Sequence, residues 1–176
     1  MTTEQDKTLE ALQTAIQMEI DGKEYYLKAS QHSGNELGKQ LFKNLASEED
    51  EHRQKFEDIF KSIRKEKGWP KTDFQPDGGR NLRNIFAKAT QQMGPKEKVS
   101  STELEAVKKA MDMENETYDF YQQREKLASY DAEREFYQAL SAQEKEHHLV
   151  LLDYFEYLKD PAAWFVEKEH PSLDGG

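Results

Sequence analysis

The chain has 176 residues, of which 34% are charged, with a formal net charge of −10 and a mean hydropathy of −1.04. This acidic balance argues against nucleic acid and anionic membranes as partners, because both require clustered lysine and arginine. The absence of cysteine excludes disulfides, thiolate metal sites and rubredoxin-like iron centres within these residues.

Two helices are predicted at the start of the chain. The first covers about 4–32, the second runs from there to about 67, and together they form one hairpin. The pattern breaks at Ser33-Gly34-Asn35, where the turn is predicted. The apolar stripe of the first helix steps by three and four residues through Leu9, Leu12, Ile16, Glu19, Lys23 and Tyr26. In the apolar stripe of the second helix, two polar residues, Glu49 and His52, occupy positions where core residues are expected.

A long connection, residues 68–100, follows the first hairpin and contains a short predicted helix around Leu82 to Met93. Neighbouring antiparallel helices need only a short loop, so this length predicts a crossover along the bundle. The third long helix would then begin near Ser101, at the end where the first hairpin turns.

The second hairpin is predicted over about 101–159, with Asp131 as the cap of its second helix. The tail, 160–176, starts a short last helix at Asp160-Pro161. We expect Trp164 and Phe165 of that helix to pack on the bundle.

The two hairpins repeat each other at a constant lag. Residues 136–147 reproduce the pattern of 41–52, and residues 110–121 reproduce that of 15–26, each 95 positions later. Two copies are too few for a solenoid, so the repeat predicts a closed bundle. We therefore predict one all-α domain, a four-helix bundle of two duplicated helical hairpins with a long crossover connection and a short C-terminal helix.

Each copy contributes a glutamate and then a Glu-x-x-His. A glutamate and a histidine three residues apart lie about one turn apart on one helix face, so both can reach one metal ion. Gly34 lies midway between Glu19 and Glu49, which brings these two carboxylates to the same height in a hairpin. The predicted metal ligands are Glu19, Glu49, His52, Glu114, Glu144 and His147.

An isolated Glu-x-x-His on an acidic helix is usually solvated surface, and that is the alternative here. The repeat argues against it, because the pair occupies the apolar stripe in both copies. The repeat also selects among neighbours. Glu48 becomes Gln143 and Arg53 becomes His148, so these positions are predicted to lie outside the duplicated set. Glu51 and Glu146 do repeat, but they point away from the helix face that carries Glu49 and are predicted to be surface charges.

Tyr26 and Tyr121 each follow a predicted ligand glutamate by seven residues, two turns along the same face. They are predicted to be either core aromatics or redox residues, and a hydrogen bond that orients a glutamate would fit both interpretations. The remaining candidates are assigned ordinary packing or surface roles: Met18, Met113, His32, His148 and His170.

Over about 8–60 and 103–158, these motifs resemble the rubrerythrin branch of the ferritin-like superfamily. The resemblance lies in 15–19 with the Tyr25-Tyr26 pair and in the acidic run that ends at His52. It implies a ferritin-like bundle with a non-haem di-iron centre, bridged by Glu49 and Glu144. The other four ligands would be terminal. The chain departs from that pattern in lacking the cysteine domain of full rubrerythrins and in having Thr117 where they carry an extra glutamate.

The resemblance implies a di-iron oxidoreductase that reduces hydrogen peroxide or dioxygen, with electrons from an external donor such as a rubredoxin. Two iron ions per chain are expected, with manganese or a mixed centre as the alternative. A ferroxidase or iron-binding protein is the second hypothesis, and a metal-free helical interaction module the third. We expect a homodimer. The absence of a long apolar run and the acidic amino-terminal residues predict a cytoplasmic protein.

Overall fold

The computed structural model describes residues 3–72, 74–93 and 100–169, and every regular element in these ranges is a helix. The helices are α1 Glu4–His32, α2 Glu36–Arg64, α3 Arg80–Met93, α4 Ser101–Leu127, α5 Asp131–Lys159 and α6 Pro161–Glu169. The four longest helices pair as two hairpins, α1 with α2 and α4 with α5. This arrangement confirms the predicted fold class. None of these helices combines the length and apolar character needed to cross a membrane.

The long helices begin where the sequence supplies capping side chains. The Thr3 hydroxyl accepts a hydrogen bond from the Asp6 backbone, and the Asp6 carboxylate accepts one from the Thr3 backbone. The side chains of Asn35 and Ser100 accept backbone hydrogen bonds in the first turns of α2 and α4. Such caps satisfy backbone donors that a helix leaves unpaired at its start, and each stabilises by about 1 kcal/mol.

Two helix ends differ from the prediction. α2 ends at Arg64, earlier than predicted, and Glu66 just beyond it has a left-handed φ of 57°, which an α-helix does not accommodate. α5 begins at Asp131, so Asp131 is not the cap of that helix. Instead, the buried carboxylate of Glu133 accepts a hydrogen bond of 3.0 Å from the backbone of Ser129.

The crossover carries the chain back along the bundle, as predicted, with α3 packed against α2 and α5. Glu103, in the first turn of α4, accepts a hydrogen bond of 2.6 Å from Ser33 at the turn between α1 and α2. Tyr154 donates a second hydrogen bond of 2.6 Å to the same carboxylate. α4 therefore begins at the end of the bundle where the first hairpin turns, which brings equivalent levels of the two hairpins together.

Two apolar clusters fill the bundle on either side of its middle. One cluster includes Leu45 and Leu151, and the other includes Phe56 and Leu140. On α2 the Glu-x-x-His lies between Leu45 and Phe56, and on α5 it lies between Leu140 and Leu151. The predicted metal-binding residues therefore form a polar layer between two apolar halves.

The last helix packs on the bundle, as predicted. The ring of Trp164 lies 5.4 Å from that of Phe86, and the ring of Phe165 lies 6.1 Å from that of Tyr157. α6 is thus held against α3 and α5 by aromatic contacts, at a distance from the polar layer. His170, which was assigned an ordinary role, lies outside the described residues.

Candidate metal centre

Four helices bring acidic side chains to one buried layer. α1 and α4 each contribute one glutamate, whereas α2 and α5 each contribute a glutamate and a histidine one turn apart. No residue of this cluster is more than 4% exposed, and its members are Glu19, Glu49, His52, Glu114, Glu144 and His147. Solvated surface pairs, the alternative for an isolated Glu-x-x-His, are not buried this deeply.

The six side chains form two overlapping groups of four. The groups are Glu19, Glu49, His52 and Glu144, and Glu49, Glu114, Glu144 and His147. In each group, one nitrogen or oxygen atom per residue lies within 4.8 Å of the corresponding atoms of the other three. Glu49 and Glu144 belong to both groups. Two carboxylates shared in this way are suited to bridge a pair of metal ions.

The inward-facing polar atoms of the cluster have no hydrogen-bond partners. These atoms are the Nδ1 atoms of both histidines and at least one oxygen of each glutamate. Nδ1 of His52 lies 3.3 Å from oxygens of Glu19 and Glu144, outside hydrogen-bond geometry. Unpartnered buried polar atoms are costly, and a pair of divalent cations, one in each group of four, would satisfy them. Imidazole nitrogen with carboxylate oxygen is a donor set that suits iron or manganese, so the residues fit the predicted metals.

Without a cation, the cluster binds protons. Burial alone would lower the pKa of His52 and of His147, but the surrounding carboxylates outweigh it and raise both values well above the ordinary one. Burial and neighbouring carboxylates raise the pKa of Glu49, and they raise that of Glu114 to about 8. Bound protons thus supply the positive charge that the carboxylates require. Binding of metal should release them.

Two buried tyrosines bind the outer glutamates across the hairpins. Tyr26 of the first hairpin donates a hydrogen bond to Glu114 of the second, and Tyr121 of the second donates to Glu19 of the first. Burial, and then the charge of nearby carboxylates, raises the pKa of both hydroxyls well above 10, which keeps them protonated. Both residues are buried in the core, and each hydroxyl contacts a glutamate of the other hairpin.

The outer nitrogens of the two histidine rings face two acceptors that the sequence analysis placed outside the duplicated set. Nε2 of His52 lies 2.9 Å from Oε1 of Gln143, and Nε2 of His147 lies 2.5 Å from Oε2 of Glu48. Neither residue belongs to the two groups of four, as predicted, but they occupy equivalent positions and each contacts the histidine of the other copy, which was not predicted. The signal was the lag itself, since Gln143 follows Glu48 by 95 residues. When Nε2 donates its proton, the lone pair of Nδ1 is free to bind a metal.

Gly22 provides the space that the Glu49 carboxylate occupies. Gly22 is buried in the stripe of α1 where Lys23 was predicted, and Lys23 instead pairs with Asp50 at 2.9 Å. A Cβ atom on Gly22 would lie 2.8 Å from Oε2 of Glu49. Glycine at this position therefore allows a shared carboxylate to lie close to the backbone of α1.

We expect Gly22→Ala to lower the affinity for divalent metal by about 10-fold or more without unfolding the protein. The displaced carboxylate is the end of a flexible side chain, and alanine is about 1 kcal/mol more favourable than glycine within a helix. A cobalt titration and a thermal melt of the chelated protein would measure the two effects. Gly34→Ala is the control, because nothing lies within 4 Å of its Cβ position. Equal metal affinity of both variants and the unaltered protein would contradict this role of Gly22.

The other side chains considered from the sequence belong to neither group of four: His32, His148, Glu51, Glu146, Met18, Met113 and Thr117. His32 and Glu51 are exposed, and Glu146 pairs with Arg83 at 2.8 Å on the surface. The Thr117 hydroxyl donates to the backbone of its own helix at 2.9 Å.

Comparison with known proteins supports what the cluster indicates. A search of the curated proteins and a search of the solved structures each return no match. The family model for rubrerythrin matches residues 10–154, a stretch that contains all six residues of the cluster and most of both hairpins. The chain therefore belongs to the rubrerythrin family.

Proposed function

We propose that this protein is a non-haem di-iron oxidoreductase that reduces hydrogen peroxide, or dioxygen, at the buried cluster. The observation that carries the proposal is the pair of four-residue groups that share Glu49 and Glu144 and direct unpartnered atoms at one another. Membership of the rubrerythrin family supports iron as the metal.

In the proposed centre, Glu49 and Glu144 would be shared by two ions. Glu19 and His52 would hold one ion, and Glu114 and His147 would hold the other. Four carboxylates carry a formal charge of about minus four, which two divalent cations balance, and this balance makes their common burial tolerable. Bound iron would supply the redox chemistry, one electron from each ferrous ion. Manganese or a mixed pair is the alternative, because the same donor set suits both metals.

The remaining residues orient the carboxylates and exclude water. The hydroxyls of Tyr26 and Tyr121 hold the outer glutamates, and the two apolar clusters close the bundle on both sides of the polar layer. Reduction of one hydrogen peroxide to two water molecules consumes two electrons and two protons. The tyrosine hydroxyls hold protons in direct contact with the cluster.

We propose that electrons arrive from outside these residues. The sequence contains no cysteine, so it offers no thiolate iron centre as a second redox group. An external carrier such as a rubredoxin is the proposed donor, and a homodimer is the proposed assembly.

The test is a single-turnover experiment. The iron-loaded, anaerobically reduced protein is expected to consume about one hydrogen peroxide per di-ferrous centre and then stop, because two electrons reduce one peroxide. Addition of reduced rubredoxin should convert this burst into sustained turnover. Glu114→Gln should abolish both, whereas the exposed Glu51→Gln should preserve both.

Another outcome would favour the second hypothesis. If the ferrous protein does not react with peroxide, but consumes oxygen while oxidising many added ferrous ions per chain, the protein is a ferroxidase. A closed shell in solution, rather than a dimer, would point the same way, because storage of a mineral requires an enclosed volume.

A further inference from the structure

The two histidines of the cluster have unlike partners behind them. Position 48 in the first copy is glutamate, and the equivalent position in the second copy is Gln143. Each contacts the histidine of the other copy, so His147 faces a carboxylate and His52 faces an amide. The six inward residues are the same in both copies, whereas this supporting pair differs.

The hydrogen bonds determine how the pair is arranged. Nε2 of His147 donates to Oε2 of Glu48 at 2.5 Å, and Nε2 of His52 donates to Oε1 of Gln143 at 2.9 Å. The amide nitrogen of Gln143 also donates to Oε2 of Glu48, at 3.3 Å. The amide must present its oxygen to His52, because its nitrogen is directed at Glu48. One carboxylate thus accepts from both sides, while His52 has only a neutral acceptor.

A charged acceptor polarises an imidazole more strongly than a neutral one. Hydrogen bonds to a carboxylate are shorter and roughly twice as strong as those to a neutral amide. Electron density displaced toward Nδ1 makes that atom a better ligand, and loss of such a supporting group typically lowers metal affinity by about 10- to 100-fold. His147 should therefore bind a cation more strongly than His52.

We propose that Glu48 and Gln143 make the two halves of the centre unequal, so that the half containing Glu114 and His147 binds a divalent cation first and more tightly. The inference rests on the proposed function, in that it requires the cluster to bind two cations. Glu48 and Gln143 act here as positioning residues, through the rings of the two histidines.

The test is titration of the metal-free full chain with cobalt(II), followed by calorimetry and visible absorption. The unaltered protein should bind two ions in steps separated by about 10- to 100-fold. Glu48→Gln should weaken the tighter step by a similar factor and bring the steps together. Gln143→Glu should tighten the weaker step, and the exchanged double variant should restore the separation.

Repulsion between two bound cations would also separate the steps, but it would do so equally in every variant. Glu51→Gln is the matched control, because Glu51 lines the same surface depression as Glu48 and Gln143 and the substitution removes the same charge. The control should leave both steps unchanged. Glu48 is 16% exposed and Glu48→Gln keeps its shape, and Gln143→Glu gives an independent result should the first variant fold poorly.

Two outcomes would overturn the inference. One is equal binding of both ions by the unaltered protein, and the other is a step separation that neither Glu48→Gln nor Gln143→Glu changes. A protein that binds two cobalt ions unequally but shows no peroxide burst would refute the proposed reaction and support this inference. A protein that shows the peroxide burst, but whose cobalt affinities change with neither substitution, would support the proposed reaction and refute this inference.

Discussion

Replacing Glu49 with alanine is expected to abolish binding of two metal ions per chain. Glu49 belongs to both groups of four, so its loss removes a ligand from each half of the centre. Tight binding should fall from two ions to at most one. The affinity for the remaining ion should also fall. Loss of a group that only hydrogen-bonds to a metal ligand lowers metal affinity by roughly 10- to 100-fold, and loss of a ligand itself should lower it further. Metal analysis of the desalted protein, with calorimetric titration, measures both quantities.

Glu51→Ala is the control for this experiment, because Glu51 lies two residues away on the same helix and is exposed. Its metal content should match that of the unaltered protein. Glu49→Gln separates charge from volume, because it keeps the shape of the side chain but removes a charge that the remaining ligands need. Retention of two tightly bound ions with an unchanged spectrum in Glu49→Ala would show that Glu49 is not a bridge.

Removal of metal is expected to lower the melting temperature by about 10 to 20 °C at neutral to alkaline pH. At ion concentrations near 100 times the dissociation constant, each of two ions bound only by the folded state adds about 2.7 kcal/mol, so together they add about 5 kcal/mol. For a chain of this size, 1 kcal/mol shifts the melting temperature by about 2 to 4 °C. Equal melting temperatures with and without metal would favour the metal-free module.

The metal-free protein itself should be more stable near pH 5 than near pH 8. The raised pKa values of Glu49 and Glu114 mean that the folded state holds protons that the unfolded state releases above about pH 4.5. This contribution to the free energy of unfolding is lost as the pH rises through the pKa of the group in the folded state, which is about 8 for Glu114. The raised pKa values of His52 and His147 act in the same direction above about pH 6.5.

The pH series is measured on protein kept in chelator throughout, because metal affinity itself falls at low pH. Two carboxyls act in the opposite direction. Burial raises the pKa of Glu48, but the hydrogen bond and the charge of His147 outweigh burial and lower it. For Glu144, burial and the charge of Glu49 raise the pKa, but the close contacts with Glu114, His147 and His52 outweigh them and lower it. Their contribution is lost only as the pH falls below about 4.5, so it does not affect the window from pH 5 to 8. A melting temperature that rises from pH 5 to pH 8 would contradict the assigned shifts.

The bundle and the inward residues could be predicted from the sequence because two signals agree at each position. Glu49 and His52 interrupt an apolar stripe of period 3.6, and Glu144 and His147 interrupt the equivalent stripe at one constant lag. Either signal alone would not distinguish a buried carboxylate from a solvated one. The level of α4 followed from the length of the crossover and the position of the turn at Gly34.

Three features could not be predicted, each for a different physical reason. Gly22 contributes no side chain, and its role appears only in the space between α1 and Glu49. Glu48 and Gln143 escaped a search for identical residues, because the two copies use different chemistry to hold the same ring. The end of α2 depends on the left-handed backbone of Glu66, a conformation for which glutamate has no preference.

The division of the cluster between the hairpins bears on how the chain arose. Each group of four takes three residues from one hairpin and one from the other. Two separate copies of a single hairpin, related by a two-fold axis, would build both groups by symmetry. In such an ancestral dimer, however, one gene would specify position 48 and its counterpart, so both histidines would face the same residue. Glutamate and glutamine could diverge there only after gene duplication had given each hairpin its own coding sequence.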